Sequence, residues 1–287
     1  MDQADNLRQM VTSRSESPLR VVAVTSGKGG VGKTNITANL AVLAARTGRR
    51  VLIVDADLGL ANVEIIYGLK PRYHMGHLLD ASVPLEEVLA VGPQGVRVLA
   101  AGSGIQGLTR LDDAQKLRLV TAFDLIEDAF DLVLIDSSAG IGDNVLFFVG
   151  AAQEALLIVT VEPTSLTDAY AAVKVLSQQA GVRYFNVVVN TAPSEGAAKD
   201  IFETLTSVTN RFLNARVRYL GHLPRDENMH RAIMAQRPLV DVFPHSPSSR
   251  ALAVLADKLL NEPAPSPLDG GMKLLWQRLL RESTVRS

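Results

Sequence analysis

Gly27-Lys28-Gly29-Gly30-Val31-Gly32-Lys33-Thr34 follows the apolar run Val21-Val22-Ala23-Val24 and leads into Ile36-Thr37-Ala38-Asn39-Leu40-Ala41-Val42-Leu43-Ala44-Ala45. A buried strand gives way to a helix here, which is the setting a phosphate-binding loop requires. Glycines admit positive φ, so successive N–H groups turn inward and form an anion site at the positive end of the helix. In that arrangement Lys33 reaches the β- and γ-phosphates of a nucleotide, and the Thr34 hydroxyl is a ligand of Mg²⁺. Gly27, Gly29, Gly30, Val31, Gly32, Lys33, Thr34 and Asn35 form the candidate cradle.

Outward from this loop the chain alternates. Continuous apolar runs at Arg20 to Ser26, Arg50 to Asp55, Val96 to Ala100, Leu132 to Asp136, Ala155 to Val161, Phe185 to Asn190 and Arg218 to Leu223 read as strands covered on both faces. Helical patterns fall between or after them at Lys33 to Thr47, Asp112 to Phe130, Asp143 to Ala152, Thr167 to Gln179, Lys199 to Leu213, Glu227 to Gln236 and Ser248 to Leu260. Strands alternating with crossover helices predict an α/β fold: a doubly wound, mostly parallel sheet with helices on both faces, in one unbroken domain over 20–261.

Composition narrows the function. With no cysteine in 287 residues, disulfides and thiolate metal sites are excluded. His74 and His77 are close in sequence without carboxylate neighbours and read as a solvated loop pair. A net charge of −1 argues against a surface built to hold nucleic acid, although a local basic patch stays open. The polar start lacks a signal core and no apolar run has the length of a membrane span, so the cytoplasm is the expected address.

Two strand ends carry carboxylates. Val54-Asp55-Ala56-Asp57 closes the second strand, and i and i+2 place both aspartates on the side of the phosphates, where Mg²⁺, Lys28 and Lys33 offset their charge. Leu132-Val133-Leu134-Ile135 ends in Asp136, the position that holds Mg²⁺ in a phosphoryl-transfer site. Thr34, Asp55 and Asp136 are thus the metal candidates; for each aspartate the alternative is a helix cap. Ser137-Ser138-Ala139-Gly140-Ile141-Gly142-Asp143 follows as a glycine-bearing switch segment.

Gly-Lys-Gly-Gly-Val-Gly-Lys-Thr resembles the deviant Walker A loop of the MinD/ParA family of ATPases. The resemblance implies ATP with Mg²⁺ as the bound nucleotide, and an ATP-dependent homodimer in which Lys28 contacts the partner's nucleotide; a solvated loop lysine is the alternative. Asp57-Leu58-Gly59-Leu60 resembles the family's second acidic motif, which implies that Asp57 orients the attacking water. Lys28, Lys33 and Asp57 are then the catalytic set. Asn190, and Pro224 and Asp226 in Leu223-Pro224-Arg225-Asp226, resemble the family's adenine pocket. Ser138 departs from the pattern, standing where many relatives carry proline.

Asp55 to Val63, Ala139 to Asp143 and Glu162 to Tyr170 are similar to the flagellar number regulators of this family, the FleN/FlhG branch, and the similarity spans nearly all of Arg20 to Leu260. The polar tail 1–19 contains Asp2-Gln3-Ala4-Asp5-Asn6-Leu7-Arg8, similar to a tail element of that branch. It implies docking on an FlhF-type GTPase through Gln3, Leu7 and Arg8. The resemblance also implies the flagellar master transcription activator and a basal-body switch protein as partners.

Beyond 261 comes a proline- and glycine-rich linker, 262–271, and then Met272-Lys273-Leu274-Leu275-Trp276-Gln277-Arg278-Leu279-Leu280-Arg281 within 272–287. Leu275, Trp276, Leu279 and Leu280 share one face of a basic amphipathic helix, which suits the anionic inner face of the cytoplasmic membrane; a helix folded back on the domain is the alternative. The whole reads as a slow, regulatory ATPase that acts as a dimerisation switch for flagellar number, placement and gene expression. A ParA-like DNA segregation ATPase and an ATP-gated scaffold without turnover are the competing readings.

Overall fold

The computed structural model describes residues 19–58, 62–102, 111–124 and 127–263. The strands in chain order are β1 (Arg20–Thr25), β2 (Val51–Ala56), β3 (Ala90–Val91), β4 (Arg97–Leu99), β5 (Leu132–Ser137), β6 (Glu154–Thr160), β7 (Tyr184–Ala192) and β8 (Arg216–Pro224). They form one eight-stranded sheet in the order β3-β4-β2-β5-β1-β6-β7-β8. Only β3 runs antiparallel, against β4.

Each inner strand sends alternate side chains to opposite faces, and helices cover both. From β1, Val22 and Val24 enter a layer with Ile36 and Leu40 of α1 (Lys33–Arg46) and the short α2 (Val63–Ile66). Val21 and Ala23 enter the other layer, under α3 (Met75–Leu79), α4 (Leu85–Val88), α5 (Asp113–Asp124), α6 (Asp143–Gly150), α7 (Pro163–Gln179) and α8 (Glu195–Phe212). The helices α9 (Glu227–Met234), α10 (Leu239–Val242) and α11 (Pro247–Asn261) return to the first face, where Leu252 and Leu255 pack with Val188 and Leu220. The doubly wound sheet expected from the alternating pattern is therefore present.

Strand order reverses at β1: β2 lies beyond β5 on one side, and β6, β7 and β8 follow on the other. Ligands of such sheets bind at the carboxyl ends of the strands beside that reversal. The amino ends carry a different device. Arg20 is buried and its Nε donates to Glu154 Oε1 at 2.7 Å, while its Nη1 donates to the Glu262 carbonyl at 2.9 Å. Asn186 Nδ2 donates to Glu154 Oε2 at 2.5 Å, and Arg218 Nε donates to Asn186 Oδ1 at 2.9 Å. This network stitches β1, β6, β7 and β8 to the end of α11, and each buried charge has the partner that burial demands.

The histidine pair departs from the expectation of a solvated loop. Gly76 N–H donates to His74 Nδ1 at 3.1 Å and His74 N–H to His77 Nδ1 at 3.3 Å, so the two rings close the first turn of α3. Burial first and then His77 lower the pKa of His74.

Candidate functional site

The cradle is built where β1 turns into α1. Gly32 caps the helix with φ 93°, and Gly30 has φ 76°, both left-handed values that favour glycine. A Cβ on Gly32 would also stand 2.5 Å from Asn190 Nδ2, which itself donates to the Val31 carbonyl at 2.8 Å. Asn190 at the end of β7 thus holds the loop from behind. Lys33 is buried; its Nζ donates to Ser26 Oγ at 3.1 Å, and Ser26 Oγ to the Lys28 carbonyl at 2.6 Å. Burial pulls the Lys33 pKa down, opposed by the charges of Asp136 and Asp57. A buried ammonium at the start of a helix that two left-handed glycines lead into is a site that an anion completes.

The carboxylates stand opposite this lysine. Asp55 and Asp136 are register partners on β2 and β5, and both are buried. Burial, and then the neighbouring Asp136 charge, push Asp55 up to about 8; burial pushes Asp136 up to about 6 against hydrogen bonds from Thr34 and Thr37. Asp136 Oδ2 is buried with no hydrogen-bond partner. An orphaned carboxylate oxygen beside the Thr34 hydroxyl and a second carboxylate fits a hard divalent cation. Among the described residues no group of three or more His, Asp or Glu side chains could hold a metal ion.

Asp55 also has a second occupation. Its Oδ1 accepts Asp57 N–H at 3.2 Å, and its Oδ2 accepts Asn62 and Val63 N–H at 3.0 and 3.2 Å. It thereby ties the end of β2 to the first residues of α2, eight positions on, without being the residue that caps that helix. Asp57 lines the cavity with Gly29, Gly30, Gly32, Lys33, Thr34 and Asn35. Ser138 and Ala139 form another wall, and the Gly140 N–H donates to the Ser26 carbonyl at 3.0 Å, tying the switch segment to the cradle.

Pro224 and Asp226 lie one strand further out. Pro224 is the register partner of Ala192, two residues beyond Asn190. Its carbonyl accepts Ser248 Oγ at 3.0 Å, while Asp226 accepts the Asn228 and Ser248 N–H groups at 3.0 Å each and joins α9 to α11. Neither residue lines the cavity that Lys33 and Asp57 share.

Lys28 does not line that cavity either. Its Nζ donates to Glu162 Oε2 at 2.5 Å and to Thr164 Oγ1 at 3.3 Å, at the first turn of α7. Gly27 sits against the same helix: a Cβ there would fall 2.1 Å from the Asp168 carbonyl oxygen. In the sequence Glu162 and Thr164 stand out only as part of the run Glu162 to Tyr170 that resembles the flagellar branch, with no contact to Lys28 expected. The signal available was that Glu162-Pro163 opens a helix, which puts both side chains at a helix start. The mouth of the cavity carries Ile65 and Ile233, and exposed nearby are Ile141 at 46% and Met234 at 72% of their full surface. Gln3, Leu7 and Arg8, and Leu275, Trp276, Leu279 and Leu280, lie outside the described residues.

Comparison with known proteins identifies relatives of the whole fold. Residues 18–260 match the ParA family, described as NUBPL iron-transfer P-loop NTPase. The chain is 43% identical over 273 residues to the antiactivator FleN of Pseudomonas aeruginosa, covering 95% of this chain and 98% of that protein. It is 29% identical to the flagellum site-determining protein YlxH of Helicobacter pylori, covering 96% of each. The fold superposes on the septum site-determining protein MinD of Pyrococcus horikoshii, solved with Mg-ADP, at a TM-score of 0.72 and 25% identity over 85% of this chain and 96% of that one.

Proposed function

This chain belongs to the ParA family of P-loop NTPases, in the branch of MinD-like ATPases that regulate flagellar number, and from that premise we propose that it is a switch closed by ATP pairing two copies. The observation that carries the proposal is the placement of the two lysines. Lys33 is buried in its own cradle, whereas Lys28 stands outside it, ion-paired to Glu162; the cavity is lined by the exposed Ile65, and exposed Ile141 and Met234 follow closely in sequence on its lining residues Ala139 and Ile233. A cation held outside its own site and an apolar rim are what a face-to-face partner would use.

In the paired state the loop N–H groups and Lys33 receive the phosphates of ATP, and Lys28 leaves Glu162 to reach the other copy's nucleotide. Thr34 and Asp136, with Asp55 behind them, are the residues that would hold Mg²⁺, which when bound neutralises charge on the phosphate oxygens. Asp57 orients a water in line with the γ-phosphorus. The water oxygen bonds to the γ-phosphorus as the bridging oxygen leaves with the β-phosphate and the water's proton passes to the phosphate oxygens, giving ADP and inorganic phosphate and reopening the pair. Turnover is slow, so the nucleotide acts as a timer. Asn190, Pro224 and Asp226 border the base.

The closed pair acts in the cytoplasm and at the inner face of the membrane, through Leu275, Trp276, Leu279 and Leu280. The antiactivator name of the Pseudomonas relative supports a transcription activator as one partner. An FlhF-type GTPase, met by Gln3, Leu7 and Arg8, and a basal-body switch protein complete the set. Measuring hydrolysis of the intact chain against Asp57→Ala tests the chemistry. The variant should lose about 100-fold or more in rate while retaining ATP; equal, negligible rates would leave a nucleotide-gated scaffold.

A further inference from the structure

The rim at the amino ends of β7 and β8, opposite the nucleotide site, carries arginines beyond those that Glu154 and Glu262 neutralise. Arg183, Arg211 and Arg216 are all exposed, and none has a carboxylate partner among the described residues. They form one cluster. The Arg216 N–H donates to the Arg183 carbonyl at 2.7 Å, and only Leu213, Asn214 and Ala215 separate Arg216 from the end of α8, where Arg211 and Phe212 lie. Each of two guanidinium groups lies over an aromatic ring: Arg216 at 5.5 Å from Tyr184 and Arg211 at 5.2 Å from Phe212. Phe212 is 61% exposed, a large apolar side chain kept in water among these arginines on a chain whose net charge is only −1.

We propose that this rim is a second membrane-contact surface, docking on an anionic lipid bilayer with the arginines among phosphate headgroups and Phe212 at the level of the acyl boundary. Three observations select a bilayer. Paired arginine and aromatic groups suit a surface that is anionic outside and apolar just beneath. The described chain ends on the same rim: Glu262, the first linker residue, is ion-paired to Arg218, and its carbonyl is held by Arg20. The residues after it, 264–287, carry Lys273, Arg278, Arg281 and Arg286 against Asp269 and Glu282, so the segment that continues from this rim is basic in sequence. The inference rests on the reading that residues 272–287 meet the membrane, and gives that contact a second point of attachment on the folded domain. Two weak contacts joined by a short linker reinforce each other through effective concentration, and the rim would set which way the nucleotide face looks.

The test is co-sedimentation of the full chain, held with a non-hydrolysable ATP analogue, on vesicles of phosphatidylglycerol mixed with phosphatidylcholine and on phosphatidylcholine alone. Each arginine at an anionic surface is worth about fivefold in partitioning, so Arg183→Gln/Arg211→Gln/Arg216→Gln should lower binding roughly a hundredfold on the mixed vesicles. The matching triple lysine variant should keep it, since headgroups need charge and not a guanidinium fork. Phe212→Ser should weaken binding on mixed vesicles too, and nucleotide binding by every variant reports that the fold is intact. If deletion of 272–287 abolishes sedimentation while the glutamine variant binds like the parent, the rim is overturned and the C-terminal contact stands. If the parent itself does not bind mixed vesicles, both fall. Retention on duplex DNA at moderate salt that the glutamine variant loses, without change on vesicles, would assign the rim to nucleic acid and overturn the proposal.

Discussion

Replacing Glu162 by glutamine should make the ATP-bound pair tighter, against the usual expectation that losing a salt bridge loosens an assembly. In the single copy Glu162 Oε2 holds Lys28 Nζ at 2.5 Å, and the two side chains are 59% and 39% exposed. An ion pair that exposed is worth about 0.2–1 kcal/mol. Pairing breaks one such contact in each copy, so about 0.4–2 kcal/mol opposes closure. Removing it should lower the dimer dissociation constant by roughly 2- to 30-fold. The assay is sedimentation velocity across a protein dilution series with saturating ATP and Mg²⁺, in an Asp57→Ala background so that nucleotide is not consumed. The gain should shrink as salt rises, because an exposed pair is screened. An unchanged or weaker dimer at low salt would refute the reasoning and place Glu162 inside the interface.

Two further outcomes follow from the site. Gly27→Ala puts a Cβ 2.1 Å from the Asp168 carbonyl, so β1 and α7 must separate; a loss of about 2–3 kcal/mol, read as a fall in melting temperature of about 5–10 °C, is expected, and an unchanged melt would contradict the packing. The nucleotide-free chain should lose stability as pH rises. Asp55 at about 8 and Asp136 at about 6 lie above the usual carboxylate value, so their contribution is complete below about pH 4 and is lost as pH climbs through the folded values. Thermal melts from about pH 5 to 8.5 should slope down for the parent and less steeply for Asp55→Asn; an upward slope in the parent would contradict the assignment.

The sheet and the cradle were legible because both rest on local pattern. Unbroken apolar runs fix strands covered on two faces, and the seven strands read from them are all present within a residue or two at each end. The eighth, Ala90–Val91, is too short to leave a pattern, as are the four- and five-residue helices at Val63–Ile66, Met75–Leu79, Leu85–Val88 and Leu239–Val242. The helix read from Thr167 begins at Pro163, since a proline suits the first helical turn, where its missing N–H costs nothing. The helix read over Asp112 to Phe130 ends by Asp124, and a 3₁₀ turn follows at Glu127–Ala129.

Site residues were legible as types but not as contacts. Charge and spacing placed Asp55 at the end of β2, yet only the fold shows its oxygens shared among three backbone N–H groups. Asn190 reads as a purine contact, while its amide also braces the cradle through Val31. The hold of Glu162 on Lys28 joins residues 134 positions apart, which no local pattern records. The same separation hides the Arg20–Glu154 pair, whose partners meet only because β1 and β6 are neighbours.

The central claim is that a triphosphate joins two copies, with Lys28 of each reaching into the other. Light scattering of the Asp57→Ala chain eluting from a sizing column, in ATP or ADP with Mg²⁺, measures this directly. The account predicts twice the chain's mass in ATP, the single mass in ADP, and the single mass in both once Lys28→Ala is added. A single mass at saturating ATP, or doubling that persists without the Lys28 charge, would contradict it.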